Sequence, residues 1–146
     1  MARFMFRLAG VLKLREAVRD ERRAFLAEAE RLVASLAARL TEIEQERIGL
    51  RHERKQPADP ARVDIERLLR IHRYDETLQG EQHRVAARLE TARADAERRR
   101  QGLIEAERDM RALERLHDNQ RRCHDDATAR REQRELDDAR SMRGDA

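Results

Sequence analysis

Apolar residues recur every seven positions along most of this chain, and the repeat is interrupted once. In the first stretch one row runs Leu8, Arg15, Arg22, Ala29, Leu36, Ile43, Leu50. A second row runs Val11, Val18, Phe25, Leu32, Arg39, Glu46. These rows are positions a and d of a heptad, the spacing that keeps one helical face against a partner helix. Leu12, Leu26, Val33 and Leu40 widen the stripe on one flank. Runs such as Arg19-Asp20-Glu21-Arg22-Arg23 form the mixed-sign solvated face. The pattern predicts a helix over about 4–54, with Gly49 a weak point costing about 1 kcal/mol relative to alanine.

The same repeat returns after residue 60. Position a reads Leu68, Asp75, Gln82, Leu89, Ala96, Leu103, Met110, His117, His124. Position d reads Ile71, Leu78, Val85, Ala92, Arg99, Ala106, Leu113, Gln120, Ala127. A second helix over about 60–142 follows, its seam apolar as far as Leu113 and Leu116 and polar beyond.

Between the two lies Lys55-Gln56-Pro57-Ala58-Asp59-Pro60, which holds both prolines of the sequence. A proline in a helix interior removes a donor and clashes with the preceding turn, at about 3 kcal/mol. A turn is therefore expected at 55–59, with Asp59 as N-cap and Pro60 at the first position of the second helix. The predicted fold is all-α: a long two-helix antiparallel coiled-coil hairpin, a single unit over residues 1–146, with a C-terminal helical overhang.

A hairpin centred on Pro57 sets a register. Phe25 is expected opposite Leu89, Val11 opposite Leu103, Val18 opposite Ala96, Leu36 opposite Leu78 and Ile43 opposite Ile71. Arg39 falls opposite Asp75 as a polar pin, and Arg15 opposite Arg99 as the one poor layer. With residue 1 pairing near residue 113, residues 114–142 extend past the first helix, by roughly 40 Å at the rise of an α-helix. His117, Gln120, His124 and Arg131 replace apolar seam residues where the partner runs out.

Composition supports the thin seam over a globular core. Of 146 residues 43% are charged and 3% aromatic, without tryptophan, and mean hydropathy is −0.99. Such values suit disorder or a coiled coil, and the periodicity decides for the latter. The 33 basic and 30 acidic residues leave a formal charge of only +3. The single Cys123 excludes an internal disulfide. Neither a signal peptide nor a run of about 18 apolar residues is present, so a soluble cytoplasmic protein is expected.

The candidate chemistry is sparse. The glycines are scattered and form no phosphate loop. His117, Cys123 and His124 lack the convergent fourth ligand of a closed zinc site. Carboxylate pairs abound, but an exposed hairpin does not desolvate them, so acid–base catalysis is not indicated. Arg98-Arg99-Arg100 and Arg130-Arg131 are interleaved with acids and have no aromatic platform, which argues against nucleic acid. No enzyme, cofactor or metal is expected.

The opening Phe4-Met5-Phe6-Arg7-Leu8-Ala9-Gly10-Val11-Leu12-Lys13-Leu14-Arg15-Glu16 resembles the start of the flagellar export protein FliJ family. The closing Arg131-Glu132-Gln133-Arg134-Glu135-Leu136-Asp137-Asp138 is similar to that family's charged C-terminal phrase, with Asp138 in place of the usual Glu. Stalk proteins of virulence-type secretion systems look much the same.

The resemblance implies a non-enzymatic component of type III export with a stalk-like antiparallel coiled coil. It would bind the hexameric export ATPase, link it to the export gate membrane protein, and serve as a chaperone or meet export chaperones. Its location would be cytoplasmic, peripheral to the inner membrane at the flagellar base. The ATPase contact is expected where both termini meet, through Phe4, Phe6, Arg7, Arg15, Arg130, Arg131 and Arg134. The gate contact is assigned to His72, Tyr74, Gln79 and His83, beside the seam at Leu78, where a tyrosine and two histidines offer flat contact area. The alternatives are a generic coiled-coil scaffold and an arginine-rich nucleic-acid-binding helix.

Overall fold

The computed structural model describes residues 3–56 and 62–144. The chain is an all-α two-helix antiparallel hairpin, with α1 at Ala9–Lys55 and α2 at Ile65–Gly144. It divides into two compact units. One comprises Met1–Arg22 and Leu103–Ala146, the other Arg23–Gly102.

Both helices start later than the periodicity suggests. α1 begins at Ala9 rather than Phe4, because residues 3–6 are not helical and Phe6 offers its carbonyl to Ala9 N at 3.2 Å. α2 begins at Ile65 rather than residue 60. Its cap is Asp64, whose Oδ1 accepts from Arg67 N at 3.1 Å, satisfying one of the unpaired donors of the first turn. The expected cap Asp59 and the expected first-turn Pro60 lie outside the described residues.

The end of α1 is closed by the second helix. The Arg67 guanidinium donates to the carbonyls of Glu53 and Gln56, both at 3.3 Å. A cation there meets the negative end of the helix dipole and carbonyls that have no partner within α1.

In the unit Arg23–Gly102 the core is one row of layers. Ile43 is wholly buried and packs in a cluster with Leu36, Leu78, Val85, Leu89 and Ala92. Val33, Ala37, Leu40 and Leu50 border it. On α2 the buried residues Ile71, Leu78, Val85, Leu89, Ala92 and Ala96 fall on the expected a and d rows.

On α1 the a row is buried as expected at Ala29, Leu36 and Ile43, but the d row is not. Phe25 and Leu32 remain 44% and 48% exposed, and the flank residues Leu26, Val33 and Leu40 turn toward α2 in their place. The buried alanines Ala29, Ala92 and Ala96 account for this. Small side chains leave little room between the helices, so a phenyl ring at this level has to sit beside the seam rather than in it.

The register also differs from the expected one. Asp75 takes Arg47, at 2.7 Å, not Arg39, and Arg39 reaches Glu81 at 2.9 Å. Both pairs lie about one heptad away from a hairpin centred on Pro57. α1 ends at Lys55 and α2 starts at Ile65, so the link between the helices is centred later in the chain than Pro57. The shift also removes the expected Arg15–Arg99 layer. Arg99 donates instead to the Phe25 carbonyl at 2.9 Å and pairs with Asp95 at 2.9 Å.

The other unit shows the same offset on its own contacts. Arg15 pairs with Asp109 at 3.1 Å, and Arg19 donates to the Met110 sulfur at 3.1 Å. Ala106 and Met110 are buried. The N-terminal segment continues along α2 as far as His124, so the expected overhang from residue 114 is too long. Thr128 is the last half-buried residue, and 129–142 are exposed.

Candidate partner-binding surfaces

The expected ATPase-facing residues all belong to the first unit, but they are not equally available. Phe4 meets the rings of His117 and His124, with centroids 5.6 and 5.5 Å apart, and Phe6 stands edge-on to His117 at 4.9 Å. The two phenylalanines are half-buried and hold the N-terminal segment on α2. The His117 Nδ1 lies 3.1 Å from Asp118. The His124 Nδ1 is covered and has Asp125 at 3.6 Å, beyond good hydrogen-bond reach. Beside this clasp an open hollow is walled by Arg3, Phe4, Arg121, His124, Thr128 and Glu132, among others.

Arg7 is exposed, and Arg15 is occupied by Asp109. Arg130, Arg131 and Arg134 are exposed on the part of α2 that follows Thr128. The structure therefore brings the phenylalanines together, and sets the three C-terminal arginines on the solvated helix beyond them.

The expected gate-facing residues lie on α2 within the other unit. Residues 72, 79 and 83 recur at helical spacing on one face, all exposed, whereas Tyr74 is two positions after His72 and so on nearly the opposite side. Tyr74 leans toward α1, where its hydroxyl donates to Glu46 at 2.9 Å. That hydrogen bond to a carboxylate raises the phenol above its ordinary pKa. His72 has Glu76 at 3.4 Å, one turn along its own helix.

The polar network between these helices is wider than the single expected Arg39–Asp75 pin, and its partners differ. Arg39 is held by Glu42 at 3.0 Å, Glu46 at 3.5 Å and Glu81 at 2.9 Å. Hydrogen bonds to Glu42 and Glu81 keep its pKa raised further above the arginine range. Arg47 donates to Asp75 and to the Gln82 side-chain Oε1 at 2.6 Å, and its hydrogen bond lowers the Asp75 pKa. Heptad labels gave Asp75 and Gln82 as polar seam positions. Only the register tells which arginine reaches them. Among the described residues no group of three or more His, Cys, Asp or Glu converges as a metal site, and no helix is long and apolar enough to cross a membrane.

A family model described as the flagellar FliJ protein matches residues 4–144. The chain belongs to the flagellar FliJ family. No curated protein and no solved structure matches it. FliJ membership covers both helices and the segment that carries Phe4 and Phe6, and it makes the chain a non-enzymatic component of flagellar export.

Proposed function

We propose that this FliJ-family chain is a cytoplasmic stalk, peripheral to the inner membrane, that binds the hexameric export ATPase and links it to the export gate. The observation that carries the reading is the family match over residues 4–144. The geometry supports it in two ways. A helix that leaves its partner after Thr128 offers the exposed Arg130, Arg131 and Arg134 to a neighbour, and long guanidinium stems suit contact with several similar subunits in turn. Residues 72, 79 and 83 give α2 a second exposed face in the other unit, to which the gate contact is assigned. Export chaperones are further partners on this reading.

The test is stimulation of the purified export ATPase. Deleting residues 133–146 spares Thr128 and the clasp, so the hairpin keeps its fold. Together with Arg130→Ala and Arg131→Ala, the deletion should abolish stimulation while helicity per residue is retained. Full stimulation by this variant would move the contact elsewhere and leave a generic scaffold as the better reading. For the gate, His72→Ala with His83→Ala should weaken binding to the isolated cytoplasmic part of the gate protein.

A further inference from the structure

The end of the Arg23–Gly102 unit where α1 passes into α2 carries exposed apolar residues that neither assigned contact includes, on the α2 face that His72 and Gln79 continue. Ile65 and Leu69 lie one turn apart on α2 and are 66% and 47% exposed. Val63, just before the helix, is 74% exposed, and Leu68 beside them is 37% exposed. Helical spacing puts Ile65 and Leu69 on the face away from the buried Ile71 and Leu78. At this level α1 ends in His52-Glu53-Arg54-Lys55, which adds no apolar residue. Four aliphatic side chains thus remain in water.

Charge at this end has one sign in excess. Residues 51–73 hold seven arginines and lysines against four acids, Glu53, Asp59, Asp64 and Glu66. The difference of +3 equals the formal charge of the whole chain. Arg54, Lys55, Arg62, Arg70 and Arg73 are all exposed. A hollow at this end is lined by Leu50, Glu53, Arg67, Arg70, Ile71 and Tyr74, and by none of the four exposed aliphatics.

We propose that this end docks on an anionic lipid surface, with Val63, Ile65 and Leu69 entering the headgroup boundary and the surrounding arginines and Lys55 meeting lipid phosphates. Two weak signals acting together, apolar insertion and basic charge, are what reversible interfacial binding requires. Protein partners favour concave sites with aromatic anchors, and the hollow at this end that holds Tyr74 lies on the opposite side of α2 from Ile65. Arginine suits the lipid role, since its stem lies along apolar surface while its planar head pairs with phosphate. No membrane-crossing helix is involved.

Vesicle flotation tests this with the full chain. Vesicles of roughly 30% phosphatidylglycerol in phosphatidylcholine should carry the protein up, and pure phosphatidylcholine should not. Ile65→Ser with Leu69→Ser should weaken partition about tenfold, as should Arg70→Gln with Arg73→Gln. Circular dichroism verifies that each variant keeps its helicity. A second readout places an environment-sensitive fluorophore at Ile65→Cys in a Cys123→Ser background. Its emission should shift to the blue with anionic vesicles, while the same probe at Arg93→Cys should not respond. Absence of flotation with anionic vesicles, or flotation untouched by the Ile65 and Leu69 changes, overturns the proposal and leaves the patch to a protein partner.

Discussion

Arg47 of α1 holds Asp75 of α2 with two nitrogens, Nε to Oδ1 at 2.7 Å and Nη2 to Oδ2 at 3.4 Å, and uses its remaining arm on Gln82 at 2.6 Å. This planar grip ties one level of α1 to one level of α2. Neighbouring heptads offer Arg47 no equivalent acid, since the residue expected opposite it in a hairpin about Pro57 is Arg67.

The grip gives acid sensitivity with a definite sign. The Asp75 pKa is lowered by its hydrogen bond to Arg47, so the folded state binds this proton less readily than the unfolded chain. The contribution is therefore complete above the ordinary aspartate pKa of about 3.9 and fades as pH falls through the lower folded value. Thermal melts by circular dichroism should show Asp75→Asn lowering the midpoint at pH 7. The gap between variant and parent should shrink as pH falls below about 4. A gap that stays constant down to pH 2 would mean the carboxylate is not what Arg47 recognises.

Substitutions in α1 should sort by row. Ile43→Ala removes the one wholly buried large side chain of the seam and should cost about 2–5 kcal/mol. Leu32→Ala, at a half-exposed site, should cost about 1 kcal/mol or less. Urea titrations measure both, and equal losses at the two sites would restore the d row to the interface.

Gly49 sits inside α1, and a methyl group added there meets no atom within 4 Å. Gly49→Ala should therefore stabilise the hairpin by about 0.5–1 kcal/mol through helix propensity and a less free unfolded chain. A lowered melting midpoint would show that the position is crowded.

Arg67→Ala should fray the last turn of α1 at a cost of about 0.5–1 kcal/mol. Hydrogen exchange should quicken for amides near residue 55 and stay unchanged around Ile43. Unchanged exchange near residue 55 would show that water serves those carbonyls equally well.

The fold class was readable because helix, seam and interruption each leave a periodic trace. Ile71, Leu78, Val85 and Leu89 followed the heptad closely. What periodicity cannot express is translation by a whole repeat. Shifting α2 by seven residues returns Leu36 and Ile43 to apolar partners, so only the position of the turn and the polar pairs distinguish the two registers. α1 stops at Lys55, just ahead of the prolines, but α2 starts only at Ile65, because Asp64 caps it. Two further features carried no usable sequence signal. The stripe on α1 could rotate between Phe25 and Leu26 without changing its spacing, and aromatic contacts with His117 and His124 come from a segment, residues 3–6, that is not helical.

The late start of α2 has a consequence for how such a chain changes over time. The seam works as a graduated scale whose zero is fixed by the link between Lys55 and Ile65. Insertions or deletions of seven residues in either helix keep the apolar rows in phase, while other lengths throw the scale out of phase. Whole-repeat changes upstream of Thr128 thus move the point at which α2 loses its companion, and with it the number of arginine-bearing turns left bare. Reach can be adjusted in discrete steps without rebuilding the interior.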